Sequence, residues 1–208
     1  MPDLHLYQLP PSPNNVRVRL ALKHKGLAYE DHVVPFRSDR GEIVELSTQP
    51  LTPVIKHGEV VLFDSGAILR YLDANFPETP RLFSAAADEM REIEDWEYFS
   101  RVQLLRPVGM IFNQAFAERP DPAVIGEAQD LLYECTERTE NALARGGPWL
   151  LGERLTAADL FAGPPVALTL SPADSPLQVV RFFAEHFTLG AERERTLAWA
   201  RRLMAIDG

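Results

Sequence analysis

Apolar and polar residues alternate in HLYQL (residues 5–9), the pattern of a half-buried strand. From Pro13 onward Val16, Leu20 and Leu27 fall on one side of a helix that Lys25-Gly26 stops. AYEDHVVPF (28–36) predicts a second strand, and the polar RSDRGEIVELSTQ (37–49) leaves room only for a short helix. Two β-rich runs in TPVIKHGEVVLFDS (52–65) flank His57-Gly58, as in a hairpin closed by a tight turn. GAILRYLDANF (66–76) is amphipathic, with Ile68 and Leu72 one turn apart, and Pro77 ends it. The order is β-α-β-α-β-β-α.

After PETPRLFS (77–84) the strand signals all but vanish. Good helix formers with acidic first turns predict helices over 86–106 and 122–145, one beginning near Thr156, and one over 191–205. Pro164-Pro165 should bend or stop the third of these, and the proline-rich GPPVALTLSPADSP (163–176) reads as a connection between helices. The pattern divides the chain into residues 1–77, a linker at 78–86, and an all-helical part at 87–208.

Composition narrows the class. Of 208 residues 46% are apolar and 25% charged, which suits a globular chain with a sizeable core. Thirty acidic against 21 basic side chains give a net charge of -9, which opposes binding to nucleic acid or to an anionic membrane surface. RVRLALKHK (17–25) nevertheless reads as a basic helix face. Cys135 is the single cysteine, so no intrachain disulfide forms, and in its helical setting it reads as a core residue rather than a nucleophile. The start, MPDLHLYQLP, lacks the basic and apolar regions of a signal peptide, and no apolar run reaches membrane-spanning length, so a cytoplasmic protein is expected. The five histidines show no metal-ligand spacing and there is no glycine-rich phosphate loop, so no metal is expected.

Several residues sit where chemistry and helix capping coincide. Ser12 precedes Pro13 at a helix start, and Asp64-Ser65 stands between a strand and a helix; both read as caps. Thr156 with Asp159 forms a capping box whose role is stability. Trp96, Phe99, Gln103 and Arg106 share one side of the 86–106 helix, a stripe that suits either packing or a ligand.

The order and local motifs resemble the glutathione transferase family along nearly the whole chain. SPNNVRVRLAL is similar to the first-helix motif of its serine and cysteine classes, LTPVI to the segment with its cis-proline, and FDSGAILRYL to its Glu/Asp-Ser motif. WLLGERLTAADL resembles the buried capping motif of the helical domain, and TLAWARRL its late helix.

That resemblance implies an α/β thioredoxin-like N-terminal domain followed by an all-α helical C-terminal domain. It implies glutathione as co-substrate, with no metal, a cytoplasmic homodimer, and a small, apolar electrophile held between the domains. Ser12 would stabilise the glutathione thiolate as the catalytic residue; Tyr7, near the end of the first strand, is the alternative used by other classes. Serine rather than cysteine at position 12 argues against disulfide chemistry there. Thr52, before Pro53, would offer its backbone to the cysteinyl part of glutathione across a cis bond. Ser65 would hold the γ-glutamyl carboxylate and Asp64 the ammonium. A lysine or glutamine shortly before the cis-proline commonly holds the glycine carboxylate; STQPLTP (47–53) has no lysine, and Gln49, Arg37 and Arg40 are the candidates, in that order. Trp96, Phe99, Gln103 and Arg106 correspond to a second-substrate region. A catalytically silent relative serving as a ligand-binding or interaction module is the alternative function, favoured by the missing lysine and by Pro164-Pro165.

Overall fold

The computed structural model describes residues 3–208, which form two compact units: the chain up to Ser84 together with Ile206–Gly208, and Ala85–Ala205. The first unit runs β1 (Leu4–Gln8), α1 (Pro13–His24), β2 (Glu30–Val33), α2 (Gly41–Ser47), β3 (Val54–His57), β4 (Val60–Phe63) and α3 (Ser65–Asn75). The sheet order is β2-β1-β3-β4, with β2 parallel to β1 and the other pairs antiparallel. Period-2 alternation in β1 buries Leu4, Leu6 and Gln8, while His5 and Tyr7 are half-buried on the opposite face. Tyr7, Val54 and Val61 pack with Ile43 and Leu46 of α2. Helices α1 and α3 pack against each other through wholly buried residues that include Leu20, Leu22, Ile68 and Leu72. This is the mixed four-stranded sheet and helices of a thioredoxin-like fold.

The expected basic face of α1 is not a face at all. Arg17 is 1% exposed, Lys25 is 4% exposed and bonded to Asp73 at 2.9 Å, and Arg19 and Lys23 pair with Asp207. A buried cation is tolerable only when its donors are met, and here side-chain oxygens of the same unit meet them: Asp73 and Asp207 for Lys25, Arg19 and Lys23, Asn14 and Ser65 for Arg17. Burial pushes the Asp207 carboxyl up, but the hydrogen bonds and charges of Arg19 and Lys23 more than offset this and hold it below the usual Asp range.

The second unit contains α4 (Ala87–Phe99), α5 (Leu105–Gln114), α6 (Pro122–Leu143), α7 (Ala157–Ala167), α8 (Gln178–His186) and α9 (Glu194–Met204). A π-helical turn over Ser100–Leu104 joins α4 to α5, so the predicted 86–106 helix continues to Gln114. Pro164-Pro165 does not stop α7, which runs two residues further. Pro165 cannot donate to the Phe161 carbonyl, and the buried Ser100 hydroxyl donates to that oxygen instead at 2.6 Å. Helix α8 was not legible in the sequence, yet its Val179 and Phe183 anchor an apolar cluster with Phe187, Ile111 and Leu132. Cys135 is buried, and that burial raises its thiol pKa. No helix among the described residues is long and apolar enough to cross a membrane.

The T-x-x-D pattern forms the expected capping box on α7. Asp159 is 0% exposed and accepts from the N–H of Leu150 and Thr156 and from Nε1 of Trp199, at 2.9 to 3.0 Å.

Candidate functional site

Ser12 is the N-cap residue of α1, with Pro13 at the first helical position, but the capping is done by its backbone. Its carbonyl accepts from the N–H of Asn15 at 3.0 Å and of Val16 at 2.9 Å, and its hydroxyl makes no capping bond. The expected cap through Oγ is therefore absent: the Asn15 amide that it would have taken is bound to the carbonyl. The half-buried hydroxyl stands at the positive end of a 12-residue helix and is not spent on capping it.

Two side chains of the next turn tie Ser12 to the other candidates. Asn15, 0% exposed, accepts from the N–H of Leu9 at 3.1 Å and donates to the carbonyl of Thr52 at 3.3 Å. Thr52-Pro53 is a cis peptide bond, as the resemblance implied. Arg17 donates to the side-chain oxygen of Asn14 at 3.0 Å and to the Ser65 hydroxyl at 2.6 Å. The β1–α1 turn, the segment before β3 and the start of α3 thus converge on one polar cluster.

Sequence alone assigns neither Asn15 nor Arg17 a role in the site, although the spacing from Ser12 to Arg17-Val18-Arg19 is part of the resemblance that favours Ser12 over Tyr7. The one signal available was a pair of polar residues at the head of a helix whose neighbours are apolar.

At the start of α3, Asp64 adopts φ +71°, a region that non-glycine residues enter at a cost of about 1–3 kcal/mol. Its Oδ1 accepts from the N–H of Gly66 and Ala67, both at 3.0 Å, so the carboxylate caps the helix as the sequence suggested. Ser65 is 5% exposed; with its oxygen accepting from Arg17, its own proton is directed away from the guanidinium.

Tyr7 has a different setting. Its ring stacks on His32 at 4.4 Å and packs beside α2, and burial, then Glu42 and Glu30, raise its pKa. A phenol so placed is a poorer partner for an anion than a hydroxyl at a helix N-terminus that is not spent on capping.

Gln49 is folded onto its own loop, donating to Ser47 Oγ at 2.8 Å and the Leu51 carbonyl at 2.9 Å and accepting from the Leu51 N–H at 2.7 Å. Arg37 is exposed beside the Phe36 ring. Arg40, at the N-cap of α2, has a buried Nη1 with no hydrogen-bond partner.

In the helical unit, Trp96 and Phe99 are 4% and 3% exposed and stack edge to face at 5.5 Å, with the Arg138 guanidinium over both rings. Trp96 lines a hollow of about 590 Å³ between α4 and α6. Phe99, Gln103 and Arg106 line a neighbouring one of about 470 Å³, and Arg138 borders both. Arg106 is paired with Glu127 at 3.1 Å.

Residues 6–80 match the family model described as the glutathione S-transferase N-terminal domain. Over 176 residues the sequence is 39% identical to glutathione S-transferase 1 of Dianthus caryophyllus, covering 81% of this chain and 78% of that one. Over 170 residues it is 31% identical to glutathione S-transferase 3 of Zea mays, covering 76% and 75%. Among solved structures, Ure2p in complex with S-hexylglutathione superposes with a TM-score of 0.78 at 20% identity, over 97% of this chain and 93% of that one. Four-stranded mixed sheet, all-helical second unit, motif order and identity over about four-fifths of the sequence agree: the chain belongs to the glutathione S-transferase family.

Proposed function

We propose that the N-terminal unit binds glutathione and that the Ser12 hydroxyl holds its sulfur as a thiolate, which attacks an electrophilic carbon of a small apolar substrate. The observation that supports this reading is the Ser12 hydroxyl at the N-terminus of α1, not spent on capping it, tied by Asn15 to Thr52 and standing two residues from Asn14, which Arg17 links to Ser65.

A free thiol of pKa about 8.5 is only a few per cent ionised near neutrality. Lowering that value by about 2 units needs roughly 2.7 kcal/mol of preference for the anion. One hydrogen bond to a charged acceptor contributes about 1.5–3 kcal/mol and a helix N-terminus about 0.3–2 kcal/mol. A serine at this position therefore suffices, and no general base is required. The sulfur lone pair forms the S–C bond, and the leaving group departs with the electron pair of the bond it breaks.

The rest of the tripeptide has matching partners. The Thr52 backbone N–H lies beside a carbonyl already held by Asn15, an edge suited to the cysteinyl unit. The Ser65 proton, turned away from Arg17, and the start of α3 suit the γ-glutamyl carboxylate, with Asp64 for the ammonium. For the glycine carboxylate the unpaired buried Nη1 of Arg40 is better placed chemically than Gln49, whose amide is spent on its own loop.

Calorimetric titration with glutathione and conjugation of a chloronitroarene, on wild type and Ser12→Ala, test the reading. Expected are nearly equal affinities and a loss in rate of about tenfold or more, from one charge-assisted bond removed. Wild type that binds no glutathione at millimolar concentration would establish the silent-module alternative. An unchanged rate in Ser12→Ala would move the thiolate contact to Tyr7 or to backbone N–H groups.

A further inference from the structure

We infer that His5, Glu30 and His32 form a binding site for one divalent transition-metal ion on the sheet, independent of the glutathione reading. In sequence, α1 separates His5 from the other two, and no ligand spacing is visible. The parallel register of β1 and β2 sets His5 beside Glu30 and Tyr7 beside His32, and alternation puts all four side chains on one face.

The three ligand groups converge. His5 Nδ1 lies 3.1 Å from His32 Nε2, Glu30 Oε2 lies 3.5 Å from His5 Nδ1, and Glu30 Oε1 lies 3.5 Å from His32 Nε2. One ligand atom from each residue fits within 4.8 Å of the others. Ligands held about 2.0–2.1 Å from a tetrahedral zinc ion are about 3.3 Å apart, close to the separation of the two imidazole nitrogens, and Glu30 presents one oxygen to each imidazole, so a small turn of its carboxylate completes the set. Two imidazole nitrogens facing each other at hydrogen-bond distance share at most one proton; a cation between them uses both lone pairs, and the carboxylate offsets its charge.

The surroundings suit a held ion. The Tyr7 ring stacks on His32 at an interplanar angle of 9°, which fixes the imidazole plane, a supporting role that orients metal ligands elsewhere. Side-chain exposures of 27% for His5, 31% for His32 and 42% for Glu30 leave an entry path and room for water to complete the coordination. Two imidazoles and one carboxylate select zinc, cobalt, nickel or copper over magnesium and calcium, which prefer all-oxygen sites. Because β2 is the edge strand, a bound ion would staple it to β1.

The test is calorimetric titration of zinc into untagged, chelator-treated full-length protein. Expected are one equivalent bound with Kd on the order of micromolar, a rise in Tm of the N-terminal unit of roughly 10–20 °C at a hundredfold excess over Kd, and a loss of affinity of at least about tenfold in each of His5→Gln and His32→Gln. No binding by wild type at about 100 μM zinc, or full stoichiometry retained in the double variant, would overturn the proposal. A readout on wild type alone guards against misfolded variants: cobalt should broaden the amide resonances of Leu4–Tyr7 and Glu30–Val33 first, and broadening centred elsewhere also overturns it.

Discussion

Replacing Asp159 by alanine should destabilise the helical unit strongly, and replacing it by asparagine should recover only part of that loss. Burial holds this carboxyl above the usual Asp range despite bonds from Leu150, Thr156 and Trp199, so its energetic weight lies in the donors it satisfies rather than in its charge. Oδ1 accepts from Leu150 N–H and Trp199 Nε1, and Oδ2 from the N–H and hydroxyl of Thr156. Alanine leaves three N–H donors without an acceptor in a wholly buried place, at about 1–3 kcal/mol each. Some relaxation is shared among neighbours, so the expected total is about 3–5 kcal/mol. Asparagine keeps the shape but turns one acceptor into an NH2 group. With its oxygen toward Leu150 and Trp199 the amide keeps those two bonds; its NH2 then opposes the Thr156 N–H, while the Thr156 hydroxyl can turn to accept, so about 1–3 kcal/mol of the loss remains. All three tryptophans, Trp96, Trp149 and Trp199, lie in the helical unit, so urea unfolding followed by tryptophan fluorescence reads this unit specifically. A loss below about 1 kcal/mol for Asp159→Asn would refute the donor accounting.

Arg17→Met should raise KM for glutathione about tenfold, by removing the donor that orients the Ser65 hydroxyl, while kcat at saturation changes little; an unchanged KM would show that Ser65 needs no such support. The clip formed by Asp207 with Arg19 and Lys23 stabilises through a carboxyl whose folded pKa is depressed, so its contribution is full above the ordinary Asp value of about 3.9 and is lost as pH falls through the lower folded value. Wild type should accordingly melt above Asp207→Asn near neutrality and converge with it in strong acid; a gap that persists in acid would contradict the linkage. Ser100→Ala should cost about 0.5–1.5 kcal/mol, for the hydrogen bond it removes from the Phe161 carbonyl, to which Pro165 cannot donate; urea unfolding indistinguishable from wild type would contradict this.

Local chemistry wrote the order β-α-β-α-β-β-α, the stop at Lys25-Gly26, the hairpin around Gly58 and the capping box of α7, because periodicity and capping involve residues within one turn or one strand of each other. The positions of Ser12, Thr52-Pro53 and Asp64-Ser65 were likewise visible, since each sits at an element boundary. Three-dimensional packing decided what those residues do with their polar atoms. A run of basic side chains on α1 reads as a wet surface until Asp73, Asp207 and Ser65 arrive from distant parts of the chain to pair with it. Pro164-Pro165 reads as a helix stop until Ser100, far away in sequence, donates to the Phe161 carbonyl that Pro165 cannot reach with an N–H. His5 and His32 read as unrelated until two parallel strands align them. Sequence pattern determines which segments become helices and strands because those are contests between near neighbours; the partner of a buried charge, hydroxyl or imidazole is chosen by groups that become neighbours only when the sheet and helices close.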